Sequence, residues 1–316
     1  MNEARALSAI LAVLLVASYL TWTREEKKET SGAPQKVTVV DAKSEDLKEV
    51  VLITRTQTVA LQRKKDAEQK PYSWFEIETK SGKRGFVGND KTADFMKDFA
   101  PFVALRSLGT ALDDKELEET KLKHPEKKLV LRFEKNDRVF SIGGRTYGSR
   151  DHYVRPRDGK EAFLIESKLL GDLEYPEGRF MQRNLRELEP KNVTDIVIRA
   201  RGKERRVVHQ NRLSDKDAYW ADANKPDEKN ETLENYVDKI EKLTARKYRP
   251  AGEEPKGEAV LEVVWLEDGK VKETMMLEKA KDEYFARSGV THLWTEVSKS
   301  TAQQLETDLE TILRDQ

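Results

Sequence analysis

Four imidazoles are the first residues to weigh as general bases or metal ligands: His124, His152, His209 and His292. They are scattered, and none stands in an H-E-x-x-H or comparable ligand spacing, so each reads alone as a structural histidine. The carboxylates of 113–119 (DDKELEE) are dense enough to attract a cation. The same composition suits the start of a helix, where the positive end of the macrodipole faces acidic side chains, and no metal site is expected. One constellation has anion-binding chemistry: Gly143, Gly144, Arg145, Gly148, Arg150 and Arg155. Its glycines would let backbone amides approach an oxyanion, and its guanidinium groups could pair with one. The loop lacks the full G-x-x-x-x-G-K-[ST] pattern, and no long helix follows to present its N-terminus to phosphate. A glycine-rich connection between two strands accounts for it equally well. No G-x-S-x-G elbow occurs, and Ser149, Ser167 and Ser298 have no His and Asp in a triad order. Asn192 and Asn230 head glycosylation triplets, which matter only on a eukaryotic secretory route. The tryptophans and tyrosines could line a cleft, but on alternating strands they belong more naturally to the core. No catalytic residue and no cofactor is expected, and the chain reads as a non-enzyme.

Composition narrows the partners. The chain of 316 residues carries 58 basic and 58 acidic side chains, a formal net charge of zero. That removes a strong global field, so neither nucleic-acid binding nor electrostatic recruitment to lipid is favoured. Charged residues make up 37% of the chain with the two signs finely mixed, the pattern of a densely solvated surface. The absence of cysteine excludes disulfides, zinc–thiolate sites and thiol catalysis.

The elements that must position these residues begin with an apolar run, Ala6–Trp22 (ALSAILAVLLVASYLTW), at the short end of what spans a bilayer as a helix. Val16 and Ser18 would place a signal cleavage site inside that run. Tyr19 and Trp22 instead sit where interfacial aromatics belong, so an uncleaved anchor is expected. Arg24, Lys27 and Lys28 outnumber Arg5 across the run, but long domains translocate largely regardless of flanking charge, and charge leaves orientation open. Residues 23–35 (TREEKKETSGAPQ) lack apolar periodicity and read as a flexible tether. Strands are then expected at 36–40, 49–54, 58–63 and 73–80. A helix through Phe95, Phe99, Phe102 and Leu105 is interrupted at Pro101, and an acidic helix follows at 113–120. Strands at 128–133, 138–143, 151–155 and 162–166 lead to a polar segment, 171–186, anchored by Phe180, Met181 and Leu185. A hairpin is expected at 193–199 and 204–210, then a strand at 218–222 and an amphipathic helix through Leu233, Val237, Ile240, Leu243 and Ala245. Strands 259–266 and 270–277 flank an Asp268-Gly269 turn. Short strands at 284–287 and 292–295 precede a last helix opened by Ser298, with Leu305, Leu309, Ile312 and Leu313 on one side.

The order of elements reads as an internal repeat. Trp74 answers Trp220, the stretch 151–155 answers 282–287, and Glu166-Ser167-Lys168 answers 296–299, with 81–92 as an insertion in the first copy. The expected fold is therefore α+β: an N-terminal transmembrane helix (1–22), a tether (23–35) and two tandem, diverged repeats (36–190 and 191–316). Each repeat would be a mostly antiparallel sheet with one or two helices packed on it.

Several of these residues also resemble the domain-of-unknown-function family 4340. They are the Trp74 strand, the following helix, the corner Leu122-Lys123-His124-Pro125, and Lys128–Phe133. Phe140-Ser141-Ile142-Gly143, Tyr153-Val154-Arg155 and Phe163-Leu164-Ile165 continue the pattern. Lys121 stands where the family's "Gly-Leu-x-x-Pro" corner has glycine, and the second half lacks both that corner and the "Ile-Gly" strand end. The resemblance implies a membrane-anchored extracytoplasmic bacterial protein of the cell envelope, encoded near ABC transporters of the gliding-motility type. It places residues 6–22 in the inner membrane and the rest in the periplasm. The functional expectation is a non-enzymatic binding or scaffolding module. Its partners would be the inner membrane and an ABC transporter permease or auxiliary subunit, with no nucleic acid. The alternative is a periplasmic ligand-binding domain that holds an anionic glycan or phosphate at the glycine loop.

Overall fold

A computed structural model describes residues 36–66, 69–109, 112–214 and 216–314. The expected anchor at 6–22 and tether at 23–35 lie outside the described residues. Among the described residues no helix is long and apolar enough to cross a membrane.

Alternation builds the first sheet. Strands β2 (Leu47–Ile53), β3 (Gln57–Lys65), β4 (Pro71–Thr79) and β5 (Gly82–Val87) form a meander. Strands β8 (Lys127–Phe133), β9 (Asp137–Arg145), β10 (His152–Pro156) and β11 (Phe163–Ile165) extend it on the other side of β2. With β7 (Arg106–Ser107) the order is β5-β4-β3-β2-β8-β9-β10-β11-β7. In β4, Phe75 and Ile77 enter the core while Glu76 and Glu78 face outward to Lys83, the period-two pattern of a strand with one buried face. Trp74 lies on the outward face, and Gly85 leaves room for its ring: a Cβ there would stand 2.2 Å from Trp74 Cζ2. Strands β1 (Val37–Val40) and β6 (Phe102–Ala104) form a separate two-stranded ribbon.

The second sheet comprises β12 (Asp195–Ala200), β13 (Lys203–Gln210), β14 (Tyr219–Asp222), β15 (Ala245–Tyr248), β16 (Glu258–Glu267), β17 (Lys270–Ala280), β18 (Glu283–Ser288) and β19 (Thr295–Val297). Its order, β14-β13-β12-β16-β17-β18-β19-β15, follows the same path as the first sheet without β5. Asp268 and Gly269 both have positive φ (50° and 76°), as the primed turn expected between β16 and β17 requires.

Six α-helices accompany these strands among the described residues: α1 (Lys91–Lys97), α2 (Asp114–Glu119), α3 (Ser167–Glu174), α4 (Glu177–Phe180), α5 (Glu231–Glu241) and α6 (Lys299–Arg314). The acidic start of α2 is a capping box, in which Asp113 accepts from Glu116 N and Glu116 accepts from Asp113 N. That arrangement engages two of the five carboxylates in 113–119, and Asp114, Glu118 and Glu119 lie within ion-pair distance of Lys123 and Lys115. Helices α5 and α6 bury Leu233, Tyr236, Val237 and Ile240 against Leu305, Leu309 and Ile312, with Tyr236 donating to the Leu305 carbonyl at 3.2 Å.

These observations correct the expected fold class. In place of two α+β repeats, the described chain is mostly antiparallel sheet, arranged in three sheets, and among the described residues no helix is long and apolar enough to span a membrane. A main apolar core takes residues from Val40 to Leu313, with two small apolar clusters apart from it. The helices are short because the sequence stops them. The helix expected through Leu105 ends at Lys97, since Pro101 supplies no N–H and disfavours helical backbone before it. Residues Phe102–Ala104 pair with β1 instead. Ala245 opens β15 rather than ending α5, and the last short strand is Thr295–Val297 rather than 292–295. The stretch read as an insertion, 81–92, contains β5, and the polar segment 171–186 contains α4.

A strap at 180–188 joins the two large sheets. On one side, Asn89 N donates to Phe180 O (2.7 Å) and Gln182 N to Val87 O (2.8 Å). On the other, Ala245 N donates to Arg183 O (2.8 Å), and Tyr248 Oη donates to Gln182 O (2.7 Å). The amides of Glu187 and Leu188 both donate to the Glu273 carboxylate. Phe180 is fully buried, stacked on Phe75 and Phe95. Phe180→Ala should cost about 3–5 kcal/mol of stability, read as a lowered urea midpoint at unchanged m-value.

Candidate functional site

The six residues with anion-binding chemistry do not converge. Gly143 and Gly144 end β9, and the space a side chain would need at Gly143 is taken by the corner after α2. A Cβ there would stand 2.3 Å from the Thr120 carbonyl oxygen and 3.1 Å from Leu122. Gly144 N donates to that same carbonyl at 2.8 Å. Lys121, at the corner position where the resembled family carries glycine, has φ +57°, in the left-handed region that glycine tolerates best. The "Ile-Gly" strand end and the "Leu-x-x-Pro" corner thus pack against each other. Gly148 (φ +86°) and Arg150 (φ +60°) shape an exposed turn. Arg145 stands opposite His152, whereas Arg155 stands opposite Ser141, on the other face of the sheet by strand alternation.

The histidines are held by local partners. His152 is buried, takes a hydrogen bond from Arg145 Nε at Nε2 (3.2 Å) and places Nδ1 3.4 Å from the Gly143 carbonyl. That arrangement suits a neutral ring protonated on Nδ1, and burial lowers its proton affinity below the usual imidazole value. His209 stacks on Trp220 at 4.2 Å, and burial lowers it likewise. His292, at φ +55°, stacks on Tyr72 at 4.5 Å and lies 3.3 Å from an Asp66 oxygen, clasping the β3–β4 hairpin of the first sheet to the second. Among the described residues no group of His, Asp and Glu is arranged to hold a metal ion.

The better-formed concavity is a cleft of about 580 Å³ between α1 and α3. Its floor is apolar (Phe95, Pro101, Val103, Leu105 and Leu169), and its walls carry both signs of charge. Lys36, Lys91, Lys97, Lys168 and Arg179 face Asp94, Asp98, Glu166 and Asp172. Lys97 pairs with Asp94 at 2.7 Å and Arg179 pairs with Asp172, while Lys36, Lys91 and Lys168 are in no ion pair among the described residues. Burial, reinforced by the Glu166 carboxylate, pushes the Asp98 carboxyl above its usual value, against the pull of Arg179. The lining offers charged groups over an apolar floor. Sequence reasoning passed over it because the lining comes from four separated segments. The charge pattern of α1 next to the Phe95 stripe is the one signal that could have marked it.

Fold and site together define a class: a mostly antiparallel protein with two large sheets, a two-stranded ribbon and a mixed-charge cleft. The family model for Domain of unknown function (DUF4340) matches residues 103–261, and the chain belongs to that family. The matched span runs from β6 across the corner, the strap and into β16, so it takes strands from both large sheets. No curated protein and no solved structure matches the chain.

Gly143→Ala should destabilise by about 1–3 kcal/mol through overpacking. Gly144→Ala, whose Cβ would meet nothing closer than 3.5 Å, should cost less than half as much in the same denaturant melts. Because His152 resists protonation when folded, the stability it lends is complete above the ordinary imidazole value and is lost as pH falls below it. Replacing it in His152→Gln should therefore flatten the decline in unfolding free energy between pH 7 and pH 5 relative to the native chain.

Proposed function

We propose that this protein is a non-enzymatic binding or scaffolding module held at a bacterial inner membrane through residues 6–22, with its sheets in the periplasm, serving an ABC-type transport or envelope system. The observation that carries the reading is the mixed-charge cleft and its position. Lys36, which follows the tether directly, lines it. Residues 23–35, even fully extended, reach no more than about 45 Å, so an anchor at 6–22 would keep the cleft near the membrane surface. A cleft with balanced charge over an apolar floor suits a polar protein segment better than a polyanion, because recognition there is directional rather than driven by net field. The family resemblance supports the same setting.

Two measurements test this. In fractionated cells the full chain should sediment with inner membrane and be digested by protease added to spheroplasts, whereas a chain lacking residues 1–30 should be released. A transporter permease encoded beside it should co-purify with the native chain. It should be lost from the Lys91→Glu, Lys168→Glu double variant and retained by Arg150→Glu. A chain recovered in the soluble fraction, or a permease retained by the cleft variant, would overturn the reading.

A further inference from the structure

Where the strap passes the end of α5, a second and smaller pocket of about 160 Å³ opens beside Arg186 and Trp265. The Arg186 side chain is nine-tenths buried, and its Nη2 pairs with Glu241 at the C-terminal end of α5. Its other terminal nitrogen, Nη1, is fully covered and has no hydrogen-bond partner. The Trp265 indole lies under the guanidinium at 5.9 Å. Its N–H is equally covered and is directed at the Glu241 carboxylate, with which it interacts. Leu185, Ile240 and Leu243 form the apolar wall. Buried donors left without acceptors cost about 1–3 kcal/mol each. A small pocket that keeps Arg186 Nη1 in that state is shaped for an acceptor that arrives from outside.

The charge balance says which acceptor. Arg186 already has its counterion in Glu241, so an incoming carboxylate would meet the Glu241 carboxylate without a free cation to offset it. Burial pushes the Glu241 carboxyl upward, against the pull of Arg186 and Trp265. A neutral group that both accepts and donates gives Arg186 Nη1 its acceptor without bringing a second negative charge beside Glu241. We propose that the pocket holds the carboxamide of an asparagine or glutamine side chain presented by a partner polypeptide. Its carbonyl oxygen accepts from Arg186 Nη1, its amide N–H donates to the Glu241 carboxylate, and its methylenes lie along Leu185, Ile240 and Leu243. This site is separate from the cleft beside Lys36 and does not depend on which partner occupies that cleft.

The test uses the full chain and propionamide, the free analogue of the glutamine side chain, with acetate as the charged comparison. The indole N–H resonance of Trp265, assigned by its loss in Trp265→Phe, should shift saturably with propionamide and not with acetate. Arg186→Lys keeps a cation for Glu241 but removes Nη1, and should weaken propionamide at least about tenfold. The remaining indole resonances report that the variant is folded. A larger response to acetate would overturn the proposal in favour of an anion site. The absence of saturation by either probe would overturn it in favour of bound water alone.

Discussion

The structure depends on a nine-residue strap that begins at the end of α4. Residues 180–188 have hydrogen bonds to the first sheet on one edge and to the second on the other, and Phe180 fills the space between Phe75 and Phe95. A segment of this kind must satisfy its own amides and carbonyls wherever it is buried. Here each sheet supplies part of the partners, so neither sheet edge is complete without it. Glu273 reaches from β17 to accept both Glu187 N and Leu188 N, which closes the accounting at the far end of the strap. The clasp of His292 between Tyr72 and Asp66 makes a further cross-sheet contact. The two sheets therefore share one core, and both the cleft near α1 and the pocket beside Arg186 are held on parts of the same frame.

Close approach of backbone to backbone is the second organising constraint. Gly143 is small because the Thr120 carbonyl occupies the place of a side chain, and Gly85 is small because Trp74 lies over it. Both glycines look, in sequence, as if they belong to a ligand loop or an insertion. In the fold they are packing residues, and the anion-binding chemistry of Arg145, Arg150 and Arg155 is dispersed over two faces and a turn. Arg145 is spent on the ring of His152, which explains why that buried imidazole is held in one tautomer.

The charge of this protein is balanced, with no strong net field to attract a partner. With equal numbers of acidic and basic side chains, selectivity has to come from local geometry. The two concavities show two forms of it. In the cleft, unpaired lysines stand among carboxylates over an apolar floor. In the smaller pocket, the Arg186–Glu241 ion pair is formed and one guanidinium nitrogen, Nη1, has no acceptor among the described residues.

Most strands were legible in the sequence because a half-buried strand writes its burial in every second residue, as Phe75 and Ile77 against Glu76 and Glu78 do. Caps and turns were legible for a similarly local reason: Asp113 with Glu116, and Asp268 with Gly269, involve neighbours only. What the sequence could not decide was everything made by residues far apart in the chain. Whether Phe102–Ala104 continued a helix or joined β1, and whether 180–188 was a linker or a strap, depended on partners that local pattern does not name. The cleft gathers Lys36, Asp98, Glu166 and Arg179 from four segments, and the pocket joins Arg186 to Trp265 across the second sheet. Periodicity records which face of an element is buried. Only tertiary packing settles what that face is buried against, and the sites of this protein lie in that second choice.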